Sequence, residues 1–506
     1  MGLGRKENTL KNVFWGLFSK LISTILPFIL RTIIIKILGT EYLGLSSLFM
    51  AVLNVLNLAE LGISGAIVCS MYKPIADGDN STICALLALY RKVYKIIGSV
   101  IFAVGLVVLP FVNLLIKGSV PNDINIYILF LIYLSNTSLS YLMFAYKNSI
   151  LVANQRNDIV LKIQSFCSVL QSIIQIILVV LFKNYYLYII MLPVFTIINN
   201  LMIAYVTKKK YPEYECHGNV ENNILSKFKE QSAGLMIGKI SSTIRASIDS
   251  IYISMFLGLV KVGMYNNYFY IVTTISGIIQ IIETSMVASV GNSIVTESVE
   301  KNYNDFKKFT FFLQWIVSVC SICILCLIQP FMKIWVGSRL MFKMPMAVLC
   351  ASYLLVFNIN LIRSVYTQAI GMWWQLRKIS IIDIFVNLFL NLVLVYSMGA
   401  YGVLLASVID VVFVSIPWTT YYLFKEYFGI EHFKKYMINM ARYIFNAVVT
   451  GVFLLILSEY IHISNLYFDF IIKALICLIG SNIIYLIIYR KNIYYKSMVA
   501  YIKNRF

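Results

Sequence analysis

Five basic side chains lie within long apolar stretches of this sequence, where a charged group is costly. They are Lys20, Arg31, Lys239, Arg245 and Arg363. An ionisable residue inside a membrane costs at least about 2.5–3.5 kcal/mol, so such residues are usually paired or face a water-filled cavity. A guanidinium can hold an oxyanion through two hydrogen bonds. The chemistry that these residues could support is therefore the binding of an anionic group within the membrane.

The spacing of the cations leaves a second interpretation open. Lys20 and Arg31 are eleven residues apart, about three helical turns, so they share one helix face with Pro27. Lys20 and Lys239, however, lie only about two turns from the predicted cytoplasmic end of their helices, and a lysine can extend its ammonium to that surface. Arg245 also lies four residues before Asp249, a spacing that allows a structural ion pair.

Acidic side chains also occur within apolar stretches, and they have two possible roles. A carboxylate near the middle of a membrane can bind a proton or a sodium ion and couple its entry to the exit of a substrate. Alternatively it pairs with a buried cation or forms a polar contact between helices, and we favour this simpler role. The residues are Glu60, Asp249, Glu283, Asp383 and Asp410.

Other chemistry finds little support in the sequence. Cys320, Cys323 and Cys326 follow one another on a single apolar stretch without a nearby histidine, which favours packing over metal binding. The three histidines are scattered, and the chain lacks the Gly-x-x-x-x-Gly-Lys-Ser/Thr motif that binds ATP phosphates. We therefore expect no metal and no cofactor.

The elements that must position these residues are membrane-spanning helices. Of the 506 residues 60% are hydrophobic and 13% are charged, and the mean hydropathy is +0.82. Soluble proteins have about 25% charged residues, so a soluble enzyme is excluded. Apolar stretches of 18 or more residues predict about fourteen transmembrane helices. The predicted spans are 13–37, 42–70, 92–117, 124–150, 158–182, 186–206, 231–258, 261–290, 310–336, 345–371, 379–398, 400–424, 440–461 and 467–489.

The distribution of Lys and Arg predicts the orientation of the chain. Basic residues are roughly four times as frequent in one set of alternate loops as in the other, which predicts that both termini are cytoplasmic. The net charge of +20 comes from residues scattered through short loops. Such residues suit anionic membrane lipids, and we expect no nucleic acid partner.

Two halves of the sequence resemble each other at an offset of about 219 residues. Leu38-Gly39 and Gly44 match Leu257-Gly258 and Gly263, and Lys20 matches Lys239. Each half has an even number of spans, so the copies face the same way and form a parallel repeat. This predicts an N-terminal six-helix lobe (1–206), a cytoplasmic linker (207–230), a second six-helix lobe (231–425), and two additional helices with a basic tail (426–506). Two such lobes are a transporter design.

Three runs of residues carry a resemblance to a known family. They are RTIIIKILGTEYLGL at 31–45, LAELGISGA at 58–66 and MYKPIADGD at 71–79. They resemble the first two spans and the first inner loop of bacterial polysaccharide (O-antigen or capsule-type) repeat-unit flippases. That family belongs to the multidrug/oligosaccharidyl-lipid/polysaccharide exporter superfamily. The motifs cover about residues 10–120; beyond them the resemblance rests on the number of spans and the repeat.

The resemblance implies a fold, a substrate and partners. It implies a MATE-like exporter fold in the bacterial inner membrane, and translocation of an undecaprenyl-diphosphate-linked oligosaccharide to the outer leaflet. Five cations would line the central cavity and hold the diphosphate: Lys20, Arg31, Lys239, Arg245 and Arg363. Glycosyltransferases and a polysaccharide polymerase would be partners. The alternatives are a drug/cation antiporter of the same superfamily, a membrane-embedded polymerase or glycosyltransferase, and a scaffold for glycan assembly enzymes. The short outer loops count against an enzyme.

Overall fold

Helices make up most of the part of the chain that the structure, a computed structural model, describes: residues 5–57, 63–220, 240, 243–461 and 463–496. Its contacts divide the chain into two compact units, Met1–Gly263 and Met264–Phe506. The first unit contains α1 (Arg5–Ile37), α2 (Thr40–Leu56), α3 (Ile63–Asp77), α4 (Asn80–Val108), α5 (Ile126–Leu142), α6 (Asn148–Ala153), α7 (Asn157–Phe182), α8 (Tyr185–Lys210) and α9 (243–257).

The second unit is built from long helices and two short stretches of π-helix, Val411–Ser415 and Phe424–Phe428. Helix α10 begins at the end of the first unit and continues into the second. The helices are α10 (Leu259–Thr296), α11 (Val299–Trp335), α12 (Met344–Asn358), α13 (Leu361–Ile370), α14 (Trp373–Met398), α15 (Ala400–Asp410), α16 (Ile416–Leu423), α17 (Phe433–Glu459) and α18 (Leu466–Tyr489).

These helices confirm an all-α integral membrane protein. Among the described residues, eleven helical segments are long and apolar enough to cross a membrane, and α5 with the helical turns that follow it, bent by 46°, makes a twelfth. Two further predicted spans, 42–70 and 231–258, include residues outside the described ranges. The span predicted at 124–150 is therefore a broken helix, because the chain turns at Phe144, which has a left-handed φ of 59°.

Asparagine side chains begin several of the membrane helices. Asn125 accepts hydrogen bonds from the amides of Tyr127 and Ile128 at the start of α5, and Asn184 and Asn465 do the same for α8 and α18. The first amides of a helix have no partner within it, and an unpaired amide is costly near a membrane. These caps allow each helix to begin close to the membrane surface.

The two glycine motifs of the repeat meet each other in the first unit. A Cβ on Gly44 would overlap the carbonyl oxygen of Leu259, and a Cβ on Gly263 would lie 2.7 Å from the carbonyl oxygen of Thr40. Glycine is required at both positions because the backbones of α2 and α10 approach closely here. Gly258, which ends α9, has a φ of 86°, a conformation that also favours glycine.

Candidate functional site

Two of the predicted cations lie in helix α1 at different depths. Arg31 is partly buried and lies six residues before the end of the helix, about 9 Å along its axis. Lys20 is exposed and lies eleven residues earlier, a further 16 Å or so. Because α1 packs along α7 and bears exposed apolar side chains such as Phe14, only part of its surface is covered by protein.

Arg31 lies near Tyr188 of α8. Its charge lies within electrostatic reach of the Tyr188 hydroxyl on α8. The ring of Tyr188 stacks on that of Tyr185 with 5.6 Å between centroids, and Tyr185 donates a hydrogen bond of 3.2 Å to the carbonyl of Tyr42. Gln175 of α7 donates to the Tyr188 carbonyl at 3.0 Å. The side chains opposite Arg31 are thus held in place by α2, α7 and α8.

Helix α9 carries the second predicted arginine. Arg245 is partly buried and Asp249, one turn later, is 3% exposed. The end of α9 is fixed by Lys117, whose amide donates to the Ser254 carbonyl at 3.1 Å and whose Nζ donates to the Phe256 carbonyl at 2.8 Å. Arg31, Arg245 and Asp249 therefore all belong to the first unit, whereas the predicted Lys239 and Glu60 lie outside the described residues.

Arg363 has a different environment from the other predicted cations. It is 8% exposed, and its Nη1 donates hydrogen bonds to the carbonyls of Ile416 at 3.0 Å and Ser415 at 3.4 Å and to the hydroxyl of Thr420 at 3.3 Å. These acceptors lie where the π-helical stretch Val411–Ser415 joins α16, and helix irregularities of this kind free main-chain carbonyls. The geometry favours a structural role for Arg363.

Glu283 of α10 lies in the second unit and contacts α13. The hydroxyl of Ser364 and the side-chain amide of Gln368 each donate to its Oε1 at 2.6 Å. Gln368 also donates to the Ser364 hydroxyl at 2.9 Å. Among the described residues both hydrogen-bond donors to this carboxylate are neutral, so it retains its capacity to take up a proton or a cation.

The other predicted acids of the second unit form part of a polar row between α14 and α15. Asp383, Asn387 and Asn391 are spaced four residues apart, and Asp383 lies within electrostatic reach of Arg363. Asn391 donates to Asn387 at 3.0 Å, and Asn387 donates to Ser407 of α15 at 3.3 Å. Asp410 ends α15 and is fully buried. Buried polar side chains in this arrangement hold two membrane helices together.

Two cavities in the first unit lie beside polar side chains. One, of about 450 Å³, has four tyrosines and four carboxamides in its lining, which comes from α3 to α8. The other, of about 320 Å³, includes Arg91, Lys147 and Lys208 in its lining. Both lie at the end of the unit that carries the basic loops. Within the described ranges, no three His, Cys, Asp or Glu side chains are grouped as metal ligands.

A family of known proteins matches this sequence over more than half of its length. Residues 9–288, more than half of the chain, match the family described as polysaccharide biosynthesis protein. The chain belongs to this family. The matched region contains the first unit from residue 9 onward, and with it Arg31 and Arg245. No curated protein matches the sequence significantly.

Solved structures establish the fold of this polysaccharide biosynthesis protein. The lipid II flippase MurJ in an inward closed conformation aligns with a TM-score of 0.64 at 15% identity, over 96% of this chain and 99% of its own. An inward-facing MATE family multidrug resistance transporter of the MOP superfamily gives 0.62 at 15% identity, over 81% and 95%. A mutant of the Vibrio cholerae MATE transporter VcmN gives 0.56 at 12% identity, over 83% and 97%. The fold is MATE-like, as predicted.

The charged residues of the sequence do not indicate the uncharged cavity. Its tyrosines and asparagines are spread over five helices, and no single span contains a recognisable motif. One signal was available: Asn199-Asn200 is a pair of carboxamides in the middle of a span, where polar side chains usually face protein or water.

Proposed function

We propose that this protein is a flippase that moves an undecaprenyl-diphosphate-linked oligosaccharide from the cytoplasmic to the outer leaflet of the bacterial inner membrane, with both termini cytoplasmic. The observation that carries the proposal is the match to the polysaccharide biosynthesis family over the unit that places partly buried arginines on membrane helices. A structurally similar protein is a lipid II flippase. The protein is a transporter, not an enzyme, supplied by glycosyltransferases and followed by a polysaccharide polymerase.

In this proposal the cations of the first unit hold the diphosphate as the glycan crosses in water. Under the predicted topology Lys20 lies in the inner half of the membrane and Arg31 in the outer half, so the two mark successive positions of the headgroup. Arg245 contributes from α9, and Lys239 remains a further predicted contact. In this proposal the lobes 1–206 and 231–425 move so that the substrate site is open first to the cytoplasmic side and then to the outer side. Helix α9 is the first described helix of the second lobe.

Glu283 is the acid that we propose for cation coupling. Its two neutral donors orient the carboxylate without neutralising it, and protonation or cation binding would weaken its hold on α13. Dissipating the proton or sodium gradient should then slow translocation in vesicles. If the translocation rate is the same with and without each gradient, transport is driven instead by removal of the product on the outer side.

The cationic site is tested with Arg31→Ala and Arg245→Ala. A charge-assisted hydrogen bond contributes about 1.5–3 kcal/mol, so each variant should reduce translocation of lipid-linked oligosaccharide in proteoliposomes by roughly tenfold or more. Lysine at either position should retain part of the rate. Arg339→Ala is the matched control, because Arg339 is exposed and lies between α11 and α12.

Asp249→Asn separates binding from structure. If Arg245 acts mainly through Asp249, this variant should be as damaged as Arg245→Ala; if Arg245 holds substrate, the loss should be milder. The amount of folded protein is measured for each variant by size-exclusion chromatography. Normal transport by both alanine variants, at normal protein levels, would refute the cationic site.

A further inference from the structure

The uncharged cavity of the first unit has a composition that the cationic site does not explain. It measures about 450 Å³, within the range of ligand-binding clefts, and none of the described residues that line it carries a charge. Its lining comes from α3 to α8 and the turn between α5 and α6. The cavity therefore lies within one compact unit and does not depend on the second.

Four tyrosines line the cavity. The rings of Tyr90 and Tyr94 lie 4.2 Å apart, with their hydroxyls joined by a hydrogen bond of 2.5 Å. Tyr141 meets Tyr94 edge to face at 5.4 Å, and Tyr72 adds a half-exposed ring. These tyrosines offer flat apolar surfaces next to hydroxyl groups.

Carboxamide side chains line the cavity as well. Asn199 donates to Asn200 at 3.3 Å, and Asn200 donates to the carbonyl of Ser140 at 3.3 Å, which fixes the pair on α8 against α5. The Oδ1 atoms of Asn148 and Asn199 are buried and accept no hydrogen bond from the described residues. Carboxamide side chains carry both N–H donors and a carbonyl acceptor, so those of the lining suit a ligand with hydroxyl groups.

The chemistry of the lining selects one class of occupant. A phosphate would need cations, a drug cation would need a carboxylate, and an acyl chain would leave the carboxamides unsatisfied. A sugar has apolar C–H faces that cover an aromatic ring and hydroxyls that both donate to and accept from carboxamides. The tyrosines and carboxamides of the lining then have complementary groups on the ligand.

We propose that this cavity binds an uncharged sugar residue of the translocated glycan, so that the first unit recognises the saccharide apart from its lipid diphosphate. This rests on the proposed function for the identity of the glycan. The segments that form the cavity also carry Arg91, Lys95, Lys147 and Lys208, which the Lys/Arg bias places on the cytoplasmic side. The sugar is therefore bound on the side from which it enters.

The test uses the oligosaccharide released by mild acid from the lipid-linked pool of the cells that make this protein. Purified full-length protein in lipid nanodiscs avoids glycoside detergents, which would compete for the cavity. Asn148→Leu and Asn199→Leu should each weaken binding by roughly threefold to tenfold, measured by titration calorimetry. Tyr72→Ala should weaken it through loss of the ring. The matched controls are Asn113→Leu and Tyr127→Ala, exposed residues of the same unit outside the cavity.

Two readouts separate this proposal from the proposed function. If wild-type protein translocates the lipid-linked glycan but the cavity variants bind the released oligosaccharide as wild type does, the sugar site is refuted and the flippase stands. If translocation is absent while binding remains sensitive to these variants, the site stands and the flippase is refuted. Absence of oligosaccharide binding to the wild type, or equal losses in the controls, also overturns the sugar site.

Discussion

The five N–H donors of an arginine can form hydrogen bonds with protein acceptors or with a ligand. Arg363 donates to protein acceptors. Its guanidinium reaches main-chain carbonyls of Ser415 and Ile416 that an irregular helix leaves available. Arg31 and Arg245 are only partly buried, and the sequence alone did not distinguish them from Arg363. Hydropathy shows that an arginine lies within a membrane span. It does not show which main-chain carbonyls accept its hydrogen bonds, because that depends on how α13 packs against α16.

Arg363→Met is expected to damage stability rather than transport per molecule. The substitution keeps an unbranched side chain but removes the guanidinium and leaves buried carbonyls without their donor, a loss of about 1–3 kcal/mol. Thermal unfolding of the purified protein should show a lower midpoint, whereas the rate normalised to folded protein should stay near wild type. An unchanged midpoint with lost transport would return Arg363 to the substrate site.

At the level of elements, short connections between helices are positioned by glycine. The sequence predicted the ends of α1 and α9 well, because Gly39 and Gly258 both adopt positive φ in the structure. It did not predict the bend after α5, because that bend uses Phe144, a residue type with no preference for the left-handed conformation. The partners of Glu283 were equally hidden, since Ser364 and Gln368 are ordinary residues until α13 packs against α10.

Gly44→Ala is expected to destabilise the protein, and Gly16→Ala is not. The new methyl group at Gly44 overlaps the main chain at Leu259, which cannot move as a flexible side chain would, whereas no atom lies within 4 Å of the same position at Gly16. A loss of about 1–3 kcal/mol, typical of an overpacked site, should appear as a lower thermal midpoint. Equal midpoints for the two variants would show that α2 and α10 do not approach closely.

For the whole molecule, the Lys/Arg bias predicts which loops are cytoplasmic, and cysteine labelling can test this topology. In a background without the nine native cysteines, a cysteine at Lys210 should react with a membrane-impermeant maleimide only in inside-out vesicles. A cysteine at Arg339 should react only in intact spheroplasts. Both positions are exposed in the structure, so lack of access would not explain a failure to react. Labelling of Lys210 from outside would invert the topology and with it the proposed direction of transport.

The reciprocal contact of the two glycine motifs has the form of an interface in a symmetric dimer. In such an interface residue i of one subunit meets residue j of the other, and j meets i. Here Gly44 meets Leu259 and Gly263 meets Thr40, and each pair is converted into the other by the repeat offset of 219 residues. Fusion of two copies of one homodimeric six-helix protein would produce this pairing. Each glycine is therefore constrained twice: by the helix that contains it, and by the duplicate of that helix against which it packs.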